Sequence, residues 1–72
     1  MTSDALIAEL KKRYESAPKS EVALSIHLFG IAFADQLVGH SVHDIAERAT
    51  GHRSYGAEIH KGMRLAKYVV LK

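Results

Sequence analysis

The residues best equipped for chemistry lie in the second half of the chain. Taking 100° per residue from Arg53, Arg53, Ala57, His60, Lys61, Arg64, Lys67 and Tyr68 fall on one side of a helix. Tyr55, Ile59, Gly62, Met63, Ala66, Val69 and Val70 fall on the other, within about 160–280°. A helix with an apolar stripe and a row of cations opposite can dock on a core and present charge outward. A guanidinium offers a planar fork to phosphate or to a base edge, and an ammonium offers a point charge. Residues 39–72 hold six Lys and Arg against three Asp and Glu, whereas residues 1–38 hold four against five. That asymmetry is a pointer to an anionic partner. Five histidines can add charge near neutral pH.

Other chemistry is thinly represented. His40 and His43 are three residues apart with Asp44 adjacent, a spacing compatible with zinc. The same segment is explained as a helix start, so neither metal nor cofactor is expected. His27 lies within an apolar run and reads as a packed or interface histidine. No nucleophile sits beside a base, no phosphate loop is present, and no paired carboxylates face a plausible cleft. Enzyme activity is not expected.

These side chains need elements to position them. The chain has 72 residues, which allows a single domain, 1–72, with a small core that gains from oligomerisation. It contains no cysteine, which excludes disulfides and thiolate metal sites and fits a reducing, cytoplasmic setting. No signal peptide is visible. The most apolar run, "VALSIHLFGIAFADQLV" at 22–38, is interrupted by Ser25, His27, Asp35 and Gln36. It is too short and too polar to span a membrane, and reads as a buried helix.

No strand-like alternation occurs, and Pro18 is the single proline. The pattern predicts an all-α fold of four helices. The first covers about 4–16, with Leu6, Ile7, Leu10 and Tyr14 on one face and Thr2 or Ser3 as cap. Lys11, Lys12 and Arg13 suit its negative end. The second, capped by Ser20, runs to about Val38. Val22, Ile26, Phe29, Phe33 and Leu37 form its stripe, while Leu24, Leu28, Ile31 and Val38 spread onto other faces. A helix apolar nearly all round needs cover on several sides. Gly30 and Ala34, four apart, would let another helix approach. That helix belongs either to a second copy of the chain or to the chain itself. Gly39 closes the second helix. Ser41 opens the third through "SVHD", a Ser-x-x-Asp capping box, and Val42, Ile45, Ala46 and Ala49 make its buried stripe to about residue 49. The fourth starts near Arg53 or Ser54 and continues to about Val70, with a break at Gly62 as the alternative.

Two short helices joined by a tight glycine-containing turn make a helix-turn-helix. "SVHDIAERATGHRSYGAEIHKG", 41–62, resembles the Cro/repressor-type motif, about a third of the chain without gaps. Ile45-Ala46 matches its aliphatic–alanine pair, and Ala49 the small residue before the turn. His52-Arg53-Ser54-Tyr55 matches its polar–Arg–Ser–aromatic start, Ile59 its late aliphatic, and Lys61-Gly62 its close. With "HLFGIAFADQL" before and "KGMRLAKYV" after, the chain also resembles small bacterial and phage HTH-like domain proteins.

The resemblance implies a prokaryotic or phage transcriptional regulator that binds double-stranded DNA as a homodimer, with the fourth helix in the major groove. It places His52, Arg53, Ser54, Ala57 and Glu58 at base edges, with Arg53 as the bidentate guanine reader. Lys61, Arg64 and Lys67 would contact phosphate, with Ser41 and His43 adding backbone contacts. A protein-interaction module on the same fold, such as a phage-encoded inhibitor or an accessory subunit, is the competing class.

Two positions depart from the Cro-type pattern. Its turn glycine aligns with Thr50, and a β-branched residue is costly at positive φ, so the turn is expected to shift onto Gly51. Gly56 stands where the motif buries Val or Ile. Closer packing, with Phe29 or Phe33 filling the space, is the expected accommodation; a weakened motif is the other reading.

Overall fold

The computed structural model describes residues 1–71 and is all-helical over them. Helix α1 spans Ser3–Ser16, α2 Val22–Ala32, α3 Ala34–Leu37, α4 Val42–Thr50 and α5 Gly56–Leu65. Short 3₁₀ turns at Lys19–Glu21 and Arg53–Tyr55 lead into α2 and α5. The principal pairings are α2 on α5 and α1 on α4, with α4 also lying against α5. Leu6 and Leu10 of α1, Ile26 and Phe29 of α2, Leu37 of α3, Val42, Ile45, Ala46 and Ala49 of α4, and Ile59 of α5 make one core. Among the described residues no helix is long and apolar enough to cross a membrane.

The helix starts follow local chemistry where a hydroxyl is in place. Thr2 accepts from the Ala5 N–H at 3.1 Å, and Ser41 accepts from the Asp44 N–H at 3.3 Å. Each satisfies a donor that the helix itself leaves open. Ser20 does not do this for the second helix. The chain instead turns through Lys19–Glu21, where the Glu21 N–H donates to the Pro18 carbonyl at 2.8 Å. Glu21 then precedes α2 without a side-chain cap.

The long second helix of the sequence reading is two helices. At Phe33 the backbone leaves the helical region (φ −114°, ψ 22°). The ladder nevertheless stays closed: the Phe33 N–H donates to Phe29 at 3.0 Å and the Leu37 N–H to Phe33 at 2.9 Å. Leu37 reaches the core beyond the break, while Val38 stays outside at 72% exposure. Gly39, at φ 87°, supplies the left-handed residue that ends α3.

The small residues of α2 meet the same chain. Gly30 lies against Gly62 of α5, so close that a Cβ added at Gly30 would sit 2.9 Å from the Gly62 Cα and nearer still to the Ile59 carbonyl oxygen. A Cβ at Gly62 would likewise press on the His27 carbonyl oxygen and the Gly30 Cα. Gly62 is therefore the contact point of α5 and not its break. Helix α5 ends at Leu65, earlier than the hydrophobic phase suggests, and turns through residues 66–68 follow. Val69 and Val70, expected on the buried stripe, are 43% and 91% exposed. The hydrogen bonds tighten there, with the Lys67 N–H on Arg64 and the Tyr68 N–H on Leu65. Adjacent β-branched residues lose rotamer freedom in a helix, and these two gain little burial to offset that loss.

Candidate nucleic-acid interface

The α4–turn–α5 unit has the construction of a helix-turn-helix. Ile45, Ala46 and Ala49 of α4 are buried, and Ile59 packs onto them in the same core. The turn is re-registered as the sequence demands. Thr50 stays in α4, and Gly51 takes φ 82° with its N–H donating to the Glu47 carbonyl at 2.8 Å. The Thr50 hydroxyl donates to the Ala46 carbonyl at 2.7 Å and accepts from the His52 N–H at 3.1 Å, bridging helix and turn. Gly51 can occupy that conformation without a Cβ penalty, and Thr50 cannot.

Gly56 is a packing feature, but its neighbour is neither Phe29 nor Phe33. A Cβ there would meet the imidazole of His43, and the His43 Cα at 2.8 Å. The two phenylalanines lie against each other with tilted rings, centroids 5.3 Å apart. His43 lies over Gly56 with Nδ1 3.2 Å from the Arg53 carbonyl oxygen. A carbonyl only accepts, so Nδ1 is the protonated nitrogen of that bond. The His60 ring stands nearly perpendicular to it, with centroids 6.2 Å apart. His43 is thus half-buried between α4 and α5 rather than turned outward like Ser41. His40 faces elsewhere, its Nδ1 3.0 Å from the Ser3 hydroxyl.

Of the eight residues expected at a DNA surface, His52, Arg53, Ser54, Ala57, Lys61, Arg64 and Lys67 are exposed. Ala57, Lys61 and Arg64 share the outward face of α5, opposite buried Ile59 and Gly62. Lys67 lies just past the helix end. Glu58 is different. Its carboxylate is paired with His27 Nε2 of α2, and Lys61 Nζ approaches it at 3.4 Å. The hydrogen bond from His27 is the main reason its pKa lies below the ordinary carboxylate value. This is the only carboxylate of α5, and it is drawn toward α2.

Arg53 carries a second pairing that sequence reading does not reveal. Its Nη1 is bonded to the Asp44 carboxylate and lies 3.5 Å from Glu47 Oε1, both on α4. The hydrogen bond to Asp44 raises the Arg53 pKa further, and Arg53 in turn lowers that of Asp44. All three side chains are more than half exposed, so water screens these pairs and each stabilises the fold little. The available signal was the spacing of Asp44 and Glu47, three apart on one α4 face. Only the turn geometry brings Arg53 beside them. His52 stands edge-on to Tyr55 at 5.6 Å, and Tyr55 is tilted against Tyr14 of α1 at 6.1 Å. These contacts tie the turn to the first helix.

No curated protein and no solved structure matches the chain. A family model does, over residues 2–72. With that match spanning nearly the whole chain, and with α4 and α5 packed across a glycine turn, the protein belongs to the HTH-like domain family.

Proposed function

We propose that this protein is a small, non-enzymatic transcriptional regulator that binds double-stranded DNA as a homodimer, seating α5 in the major groove. The observation that carries the reading is the charge on the outer face of α5. Lys61 and Arg64 project there with Ala57, and Lys67 follows. Among the described residues Arg64 and Lys67 have no ion-pair partner, and the lone carboxylate, Glu58, is withdrawn to His27. A cationic helix face beside an exposed turn suits phosphate contacts flanking a base-reading residue. A single short motif provides little affinity, so two copies on successive half-sites are expected. Leu24, 49% exposed on α2, and Leu65, Tyr68, Val69, Val70 and Leu71 near the C-terminus are apolar surface available for self-association.

The test is a gel shift on the DNA upstream of the protein's own gene, from low salt upward. Several phosphate contacts predict a steep linear fall of log affinity with log salt. No shift at low salt would remove the DNA reading. Replacing Arg53 and Lys61 together by Ala is expected to abolish sequence-specific binding. Unchanged binding by that double variant would displace the site while leaving the DNA reading in place.

A second reading, a protein-interaction module, is favoured by that same exposed apolar group at the C-terminal end, dominated by Tyr68 at 83% and Val70 at 91% exposure. It predicts binding to a protein partner that survives high salt, because burying apolar surface is insensitive to counterion release.

A further inference from the structure

Arg53 and Asp44 form a unit whose geometry bears on which base is read. The Arg53 guanidinium has five N–H donors. Nη1 is directed at Asp44, with Glu47 3.5 Å away, while among the described residues Nε and Nη2 have no hydrogen-bond partner. An exposed arginine loses rotamer entropy on binding, and an Nη1 already turned to Asp44 lessens that loss. The unoccupied Nε/Nη2 edge is a two-donor fork, the partner of the two acceptors N7 and O6 on guanine. The carboxylates also act on the alternative. Two negative charges beside Arg53 repel phosphate, so the guanidinium is steered from the sugar–phosphate backbone toward a base edge.

We propose that Asp44 is a positioning residue that holds Arg53 in the orientation that selects guanine, with Glu47 as a weaker second brace. The inference rests on the DNA-binding reading. It assigns the residues around Arg53 opposite roles from those of Lys61, Arg64 and Lys67. Those three cations supply affinity and salt dependence, and the Asp44–Arg53 pair supplies discrimination while contributing little to either.

The experiment is binding selection from a randomised duplex about two helical turns long. It is followed by competition between the selected duplex and the same duplex with its guanine changed to adenine. The wild-type chain is expected to select a guanine in each half-site and to prefer it roughly tenfold or more over adenine. Asp44→Asn is expected to lose most of that preference. It is also expected to bind random duplex as tightly as wild type or tighter, with a steeper salt slope, because the freed Arg53 can now reach phosphate. Asp44→Glu, which keeps the charge, is expected to recover part of the preference. Thermal melts by circular dichroism confirm that the variants are folded.

Other outcomes overturn the proposal in distinguishable ways. If Asp44→Asn binds all duplexes more tightly with an undiminished guanine preference, Asp44 merely neutralises charge, and the DNA reading stands without the positioning role. The same holds if the wild-type protein selects a sequence lacking guanine. If the wild-type protein enriches nothing and binds no duplex at low salt, both the DNA reading and this inference fall together.

Discussion

Two joints hold the motif in place, and they are built on opposite physics. The joint between α2 and α5 is made by what is missing. Gly30 and Gly62 let two backbones meet at a distance that excludes any side chain. The joint between α4 and the turn is made by polar groups: exposed Arg53 between Asp44 and Glu47, and half-buried His43 on the Arg53 carbonyl. Close-packed backbone does not yield without cost, because every atom in the contact must move. Exposed ion pairs in water yield easily, because solvent screens them. The first joint therefore sets where α5 sits, and the second sets how the side chains at its start are presented. Function can be retuned at the second joint without endangering the fold.

This contrast is broken most directly at Gly62. Alanine is the better helix former by about 1 kcal/mol, so in open space Gly62→Ala would stabilise the protein. Here the added methyl meets the His27 carbonyl and the Gly30 Cα. The expected result is destabilisation by about 3 kcal/mol or more, seen as a large fall in Tm, with Gly30→Ala behaving alike. A raised Tm in either variant would mean that the crossing is looser than the geometry shows.

At the polar face the expected loss is in binding and not in stability. Replacing Arg64 and Lys67 by Ala is expected to reduce the magnitude of the salt slope for DNA by about 2 while leaving the melting curve nearly unchanged. Ser41 tests the start of α4. Ser41→Ala removes the acceptor for the Asp44 N–H and is expected to cost about 1 kcal/mol, or roughly 4–8 °C in Tm for a domain of this size.

The smallest expected effect is the acid response of Glu58. Its folded pKa lies below the ordinary value of 4.5 because of the bond from His27. The unfolded chain therefore takes up a proton at a higher pH than the folded chain does. The stabilisation is fully present above the ordinary carboxylate range and is lost as pH falls through the lowered folded value. Melting from pH 6 downward should show Glu58→Gln with a flatter acid limb than wild type. Equal acid limbs would mean that the pair adds nothing to the seating of α5.

Much of the motif is legible in the sequence. Ser41 as cap, Gly39 and Gly51 as left-handed residues, and the stripe Val42, Ile45, Ala46 and Ala49 follow from rules acting over one or two turns. The turn shift onto Gly51 followed from the cost of a β-branched residue at positive φ. The break at Phe33 was not legible, because hydrophobic periodicity continues across it from Phe29 to Leu37. The early end of α5 was hidden for a related reason. Val69 and Val70 keep the apolar phase, but phase does not say whether a neighbouring surface is present to cover them.

The role of Gly30 was half visible. Its size announced a close approach, and only the fold named Gly62 as the partner. The candidate site divides in the same way. Local helical geometry places Lys61 and Arg64 on a common outer face, because 100° per residue holds wherever the helix packs. Tertiary packing alone decided that Glu58 turns to His27, 31 residues away in the chain, and that His43 covers Gly56. It also set Arg53 between two carboxylates of the preceding helix. By itself, the amino-acid sequence determined α1 and α4, their hydroxyl caps and the positive character of one face, since those depend on neighbours within a few residues. Which charges are left free on that face depends on groups brought together through space, and only the folded chain could decide it.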